Sequence, residues 1–316
     1  MPAQALQSTT LKNYKTATGP IPFGMTNDYM FRAVLESNPI ALKGLICALL
    51  HLQEHEITSV EILNPIALGD SFNAKDMILD VKVCINKSSY INLEMQISKQ
   101  EFWPERSLTY LCRSFDNLSE GDSYLDIKPA FHFGFLDYDI FPNEPEFYAT
   151  YHMANDISHK IYTSKFTLSV VSLNRIDLAT DEDRKYKIDY WAKLFKATTW
   201  EEIQMIAEKD HSISEAAETM FKLSEDDLAR ERCWAREEHY RIMRSVEQEA
   251  RMAEERLARA EDKLADTEGK LANTEGKLAD TEGKLADTEG KLADANLKIS
   301  QLEAQINALL KNNVPE

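Results

Sequence analysis

The chain has 316 residues and 43% hydrophobic content, so it can bury a substantial core, which excludes a wholly disordered protein. Its four cysteines form no CxxC or Cys/His pairing, which excludes a disulfide framework and a zinc cluster. The net charge is −17, and residues 1–240 hold 24 Lys/Arg against 37 Asp/Glu. Nucleic-acid binding by so acidic a chain requires a local basic strip, a bound metal or oligomerisation.

Apolar segments of the chain are too short to cross a bilayer. The N-terminus lacks the apolar core of a signal peptide, and the most apolar stretch covers only residues 44–52. Together with the scattered cysteines, this predicts a cytoplasmic protein that makes no use of a membrane. Walker A and GxGxxG motifs are absent from the sequence, so no nucleotide cofactor is expected.

The N-terminal part of the chain predicts two helices after a polar tail. The tail covers residues 1–22, and residues 27–51 carry apolar side chains at helical spacing. Thr26 or Asn27 is suited to cap the first helix, and Pro39 is suited to begin the second.

The middle of the chain predicts a sheet with helices on its faces. A helix is predicted at 104–119, and helical spacing returns after Asp181. We therefore expect a mixed α/β domain over residues 23–225, followed by a helical segment over residues 226–312. Alternating apolar residues predict strands at 78–85, 90–97, 130–141, 148–154 and 165–173.

The first two of these strands carry polar residues that suggest metal chemistry. Alternation places Asp80 on one face of the first strand, and Glu94 and Gln96 on one face of the second. The short NKSS connection predicts a hairpin, which brings Asp80 opposite Glu94 or Gln96 at a spacing of about 5 Å. Two carboxylates that close repel unless a cation such as Mg²⁺ or Mn²⁺ neutralises them. Such an ion activates water and polarises a phosphate, as phosphodiester hydrolysis requires.

These segments resemble a known family. The order Asp, short hairpin, Glu-X-Gln, with TNDYMFRAVL upstream and ERSLTYLCRSFDNLSEGDSYLDIKPAFHFGFLDY downstream, resembles the recombination-promoting nuclease (Rpn)/transposase family over about residues 25–225. The resemblance implies the PD-(D/E)XK restriction-endonuclease-like core, a mixed sheet flanked by helices, and DNA as the substrate. It also implies that Asp80 and Glu94 are metal ligands and that Gln96 occupies the place of the usual lysine. Asp28 matches the family's early acidic position and is a further candidate for the same site.

The residue at position 96 departs from the general superfamily pattern. A lysine would stabilise charge in the transition state, whereas neutral Gln96 can only form hydrogen bonds. Glu-X-Gln is ordinary in the family that the chain resembles, so the change does not by itself predict an inactive enzyme. Lys82 is a candidate for the missing cation, or a solvated strand lysine. Arg106 and Tyr110, one helical turn apart, are candidates for phosphate contact, or Tyr110 for the core, and His132 is expected to be a packed histidine.

A seven-residue repeat dominates the C-terminal part of the chain. KLADTEG or KLANTEG runs four times over residues 263–290, with Leu at heptad position a, Thr at d, Glu at e and Lys at g. The same phase continues through residues 243–260 and 299–309, which predicts about ten heptads of helix, about 100 Å long. Lys at g and Glu at e favour a parallel coiled coil that joins several copies of the chain. The alternative is a lone solvated helix or a partly disordered stalk, because Gly in each heptad weakens the helix.

Two functional interpretations follow from the sequence. We expect a divalent-metal-dependent DNA endonuclease, associated with recombination or transposon-like elements and oligomerised through its C-terminal coiled coil. The alternative is a weakly active or inactive nuclease fold that acts as an oligomerisation and interaction module. For the hairpin alone, the alternative is an ordinary amphipathic β-ribbon with a solvated polar face.

Overall fold

The computed structural model describes residues 13–63, 81–99 and 102–312. It divides into two compact units, Met1–Ile242 and Met243–Glu316. The helices are α1 (Asp28–Ser37), α2 (Pro39–Leu50), α3 (Trp103–Phe115), α4 (Asp181–Lys185), α5 (Ile188–Lys196), α6 (Trp200–Ala207), α7 (His211–Glu225) and α8 (Asp227–Asn312). The strands are β1 (Val60–Ile62), β2 (Val81–Ile85), β3 (Ser89–Gln96), β4 (Ala130–Leu136), β5 (Tyr148–His152) and β6 (Phe166–Ser172).

The six strands form one mixed sheet in the order β1-β2-β3-β4-β6-β5. The pairs β3–β4 and β4–β6 are parallel, and the other three pairs are antiparallel. Helix α3 provides the crossover that joins the parallel strands β3 and β4. The prediction of a mixed sheet flanked by helices is confirmed.

The predicted hairpin is formed by β2 and β3. Val81 pairs with Leu93, and Ile85 pairs with Ser89. Asn86 and Lys87, at the turn, have φ values of 49° and 56°, which are the left-handed conformations of a type I′ turn. The turn fixes the strand register, and the register decides which β3 side chains reach each face of the sheet.

The two faces of the sheet are covered differently. The main hydrophobic core lies between one face and α1, α2, α5, α6 and α7, and it receives Ile91, Leu93 and Met95 of β3. Helix α3 covers the other face, where Trp103 and Leu111 pack against β4 and β6 in a second, smaller cluster. Alternation along β3 therefore sends its polar side chains toward α3.

Helices α1 and α2 begin with the predicted signals. Asn27 caps α1 by accepting a hydrogen bond from the Met30 amide, and Asn38 caps α2 immediately before Pro39. By length and apolar content, no single helix of the described residues would span a membrane, although α1 and α2, bent by 107° where they meet, satisfy that test as a pair.

Two strand predictions differ from the structure. β1 was not predicted, because three residues are too few to show an alternating pattern. β4 ends at Leu136 rather than at residue 141. The polar residues that follow make side-chain contacts instead, with Lys196 donating to Asp137 and Arg175 to Asp139.

The second unit is helical through Asn312 and contains the heptad repeat. The leucines at heptad position a are each about 60% exposed in the single chain, as Leu264, Leu271 and Leu278 illustrate. The threonines at position d donate to the carbonyl four residues earlier, for example from Thr274 to Lys270 at 2.8 Å. An apolar stripe of leucines thus runs along this helix. The threonine hydroxyls beside the stripe are hydrogen-bonded to carbonyls of the same helix.

Candidate active site

Of the predicted acidic pair, Glu94 lies in the described part of the chain. Asp80 lies outside the described residues. Val81, which follows it in the sequence, pairs with Leu93, the residue before Glu94. Glu94 lies on β3 beside β4, where its register partner is Gly134.

Glu94 is a buried carboxylate, only 5% exposed. Arg106 of α3 donates from Nε to Oε1 of Glu94 at 2.9 Å, and Nε2 of His132 lies 3.7 Å from Oε2. Asn92 and Gln96, on the same face of β3, are buried as well. A hairpin with a solvated polar face is therefore the wrong description, because α3 covers that face.

His132 is fully buried beside the carboxylate, as expected for a packed histidine. Burial, with the nearby charges of Arg106 and Lys82, lowers the pKa of His132 to about 3, so the ring is neutral near pH 7. Nδ2 of Asn92 lies 3.0 Å from Nδ1 of His132, and an amide nitrogen can only donate. The proton of the neutral ring is therefore on Nε2, the nitrogen that faces Glu94.

Gly134 allows α3 to approach the sheet beside Glu94. A Cβ atom at this position would lie 2.3 Å from Cζ2 of Trp103, so only glycine permits the indole to lie where it does. Trp103 is 1% exposed and is the first residue of α3. Its packing fixes the turn of α3 that precedes Arg106.

Gln96 is engaged with the backbone after β3. Its Nε2 donates to the carbonyl of Ser98 at 2.9 Å, and its side chain is buried. This hydrogen bond ties Ser98 to the last residue of β3. Gln96 therefore supports the site rather than supplying a positive charge to it.

Asp28 lies in a second cluster, which includes the beginning of α8. Arg236 donates from Nε and Nη2 to the carboxylate, the shortest contact being 2.6 Å, and Tyr240 donates to Oδ2 at 2.5 Å. The Asp28 and Arg236 side chains are 4% and 10% exposed. Both oxygens of Asp28 are thus used within the protein.

The two clusters are neighbours. Burial lowers the pKa of the Arg106 guanidinium, but the charge of Glu94 and the hydrogen bond to it outweigh this effect and raise the pKa above its usual value. The electrostatic interaction of Tyr240 with Arg106 raises the pKa of Arg106 as well, which links the two clusters. The contacts of Arg236 and Tyr240 with Asp28 were not predicted from the sequence. The detectable signal was the Arg-X-X-X-Tyr spacing, which occurs both at Arg106–Tyr110 and at Arg236–Tyr240.

The described residues provide part of a site for a divalent ion. Glu94 supplies a buried carboxylate, and Oδ1 of Asn92 is a buried oxygen with no hydrogen-bond partner among the described residues. Oxygen donors of this kind fit a hard cation such as Mg²⁺ or Mn²⁺. No group of three His, Cys, Asp or Glu side chains able to hold a metal occurs in the part of the chain that the structure describes, which leaves out Asp80. The ligand assignment of Asp80 and Glu94 therefore stays a prediction.

Comparison with known proteins identifies one family. The family described as PD-(D/E)XK nuclease family transposase matches residues 25–250, which is more than half of the chain. No curated protein and no solved structure matches the chain significantly. The family match confirms the resemblance drawn from the hairpin and its flanking segments, and it agrees with the mixed sheet and its helices. The chain belongs to the PD-(D/E)XK nuclease family transposases.

Proposed function

We propose that this protein is a divalent-metal-dependent DNA endonuclease that acts in recombination or in the movement of transposon-like elements. The observation that carries the proposal is the buried carboxylate of Glu94 on β3, in a chain of a PD-(D/E)XK nuclease family. Nucleases of this superfamily generally use divalent metals and act on DNA. Asp80 supplies the second carboxylate in this proposal, because it comes directly before Val81 in the sequence and Val81 pairs with Leu93 of β3.

Each residue around Glu94 has a distinct task in this proposal. Asp80 and Glu94 would hold Mg²⁺ or Mn²⁺ through carboxylate oxygens, and the chemistry such an ion would supply there is activation of water and polarisation of the scissile phosphate. In this proposal the His132 ring, whose Nε2 lies 3.7 Å from Oε2 of Glu94, packs beside that carboxylate and limits its orientation. Gln96 fixes the end of β3 through Ser98. Asp28 is the weakest metal-site candidate, since Arg236 and Tyr240 occupy its oxygens.

Nicking of supercoiled DNA tests the proposal. With Mg²⁺ or Mn²⁺, Asp80→Asn and Glu94→Gln should each slow nicking by about 10²-fold or more, because each removes a negatively charged ligand while keeping the side-chain size. The matched control is Glu105→Gln, which removes an exposed carboxylate from the first turn of α3 and should leave nicking within about twofold of wild type.

Equal nicking by the wild type and both site variants would contradict this assignment. It would favour the alternative function, a nuclease fold that serves as an oligomerisation and interaction module. Unfolding measurements on the same variants separate loss of the site from loss of the fold.

We also propose that the chain self-associates through a parallel coiled coil formed by the helix after Met243. The apolar stripe of leucines supports this, because each leucine is about 60% exposed in the single chain. Burying such side chains against a second copy stabilises the association by about 0.8 kcal/mol per CH₂ group. Association in parallel would bring two nuclease units together, so that both strands of one DNA duplex can be cut.

A further inference from the structure

The nuclease unit contains two Arg–Tyr pairs in which the arginine contacts the tyrosine with the same geometry. Each arginine also binds a carboxylate. In each pair the guanidinium lies 5.1 Å from the tyrosine ring centre and donates to its hydroxyl at 3.3 Å, for Arg106 with Tyr110 and for Arg236 with Tyr240. The carboxylates are Glu94 and Asp28, respectively. The pairs differ in how much of each guanidinium remains available.

Arg106 is more accessible to solvent than Arg236 and makes fewer hydrogen bonds to its carboxylate. The Arg106 side chain is 35% exposed, against 10% for Arg236. Arg106 makes one hydrogen bond to Glu94, through Nε, and Arg236 makes three to Asp28. Among the described residues, Nη1 of Arg106 has no hydrogen-bond partner. Arg106 thus has a solvent-accessible donor left for a further ligand, and its positive charge favours an anion there.

We propose that Arg106 is the phosphate-binding cation of this site and that it exchanges Glu94 for a phosphate group of the DNA. This inference rests on the proposed function, since it assigns the positive charge that a nuclease site needs and that neutral Gln96 cannot supply. The planar guanidinium matches a phosphate by donating two parallel hydrogen bonds. Gln96 is in any case bonded to the Ser98 carbonyl.

The exchange follows from charge balance. The Arg106 guanidinium compensates the Glu94 carboxylate through a hydrogen bond of 2.9 Å. Once the Glu94 carboxylate is bound to a divalent ion, its charge is compensated and its attraction for Arg106 falls. The guanidinium is then free to bind a phosphate at the same edge of the site.

Manganese binding in the absence of DNA gives the first test. Arg106→Gln removes a competitor for Glu94, so Mn²⁺ should bind this variant about two- to fivefold more tightly than the wild type, the ratio expected for a partly exposed ion pair. Calorimetry or electron paramagnetic resonance of free Mn²⁺ provides the affinity. If Arg106 only positioned Glu94 as a ligand, the variant would bind Mn²⁺ more weakly, and the inference would be overturned.

Nicking activity gives the second test. The same variant that binds Mn²⁺ more tightly should be the less active one. Arg106→Gln should nick supercoiled DNA about 10²-fold more slowly, as expected for loss of a group that stabilises transition-state charge. Arg106→Lys should recover part of the rate, because it keeps the charge but loses the paired hydrogen bonds. Arg113→Gln is the matched control: it lies on the same helix, 5.9 Å from the Tyr110 ring, and should stay within about twofold of wild type.

The outcomes separate this inference from the function on which it rests. Nicking that depends on Glu94 but is unchanged in Arg106→Gln overturns the role of Arg106 alone. Nicking that depends on neither Asp80 nor Glu94 overturns the nuclease proposal itself.

Discussion

At the scale of single residues, burial decides what a charged pair does. The Asp28–Arg236 pair is almost fully enclosed, so neither charge can regain water without local unfolding. The Glu94–Arg106 pair has one enclosed partner and one partner that reaches solvent. The first pair is therefore suited to hold structure, and the second is suited to exchange partners.

Replacing each arginine should change the stability of the protein by a different amount. Arg236→Gln should lower the free energy of unfolding by about 3–5 kcal/mol, because it leaves the Asp28 carboxylate buried with a lost charge partner. Arg106→Gln should lower it by less, about 1–2 kcal/mol, because Glu94 is also buried but the partly exposed guanidinium leaves water closer to it. Urea unfolding followed by circular dichroism provides both values.

A double variant provides the control for this comparison. Adding Asp28→Asn to Arg236→Gln removes the uncompensated charge and should recover part of the stability. Equal losses in the two single arginine variants would contradict the assignment of different roles.

At the scale of elements, patterns of neighbouring residues determine the secondary structure. The packing of elements against one another determines the surroundings of Glu94. Alternation and the NKSS turn were sufficient to predict the β2–β3 hairpin, because both are properties of a few consecutive residues. The position of α3 over the polar face was not predictable in this way. It depends on the close approach of Trp103 to Gly134, two residues that lie far apart in the sequence.

The beginning of α8 belongs to the nuclease unit by its contacts. Ala229 and Cys233 are buried in the main core, and Asn27 donates to the carbonyl of Cys233 at 3.0 Å. The family match likewise extends to residue 250. The predicted domain boundary at residue 225 stays a prediction, and truncation can test it.

Truncation at two positions tests which residues the nuclease unit requires. A chain ending at residue 250 should retain the unfolding free energy of the nuclease unit within about 1 kcal/mol. A chain ending at residue 225 should lose about 3 kcal/mol or more, because Arg236 no longer compensates the buried Asp28. Chemical unfolding of both chains, followed by tryptophan fluorescence, provides the comparison. Equal stability would show that the start of α8 is dispensable.

At the scale of the whole molecule, the heptad repeat combines an apolar stripe with exposed ion pairs. Lysines at position g pair with aspartates at position c of the same helix, as Lys270 with Asp266 at 2.6 Å. Exposed ion pairs of this kind contribute little to stability. The lysines can therefore leave them and pair with Glu at position e of another copy of the chain. The threonines at d already donate to their own helix, so burying them leaves no hydroxyl without a partner.

Sedimentation tests the predicted self-association. The full chain should sediment as an oligomer at tens of micromolar, and Leu271→Lys combined with Leu285→Lys should shift it toward the monomer, because lysine at position a opposes burial of the seam. The matched control, Gly276→Lys, places the same charge at heptad position f, away from the seam, and should leave the mass unchanged. The coiled coil would be ruled out if the full chain were a monomer. A chain truncated at Ser245 would then also be a monomer, and its mass would be lower only by the residues removed.

The sequence by itself determined the pattern-based features of this protein: the hairpin, the helix caps, the family and the heptad phase. Each of these depends on residues that are close along the chain, where backbone geometry converts spacing directly into position. Only the tertiary structure decided that Glu94 is enclosed beneath α3, that Arg106 is its partner, and that Asp28 is held by α8. Those facts depend on which distant elements pack together and how much water they exclude, and no local pattern encodes that information.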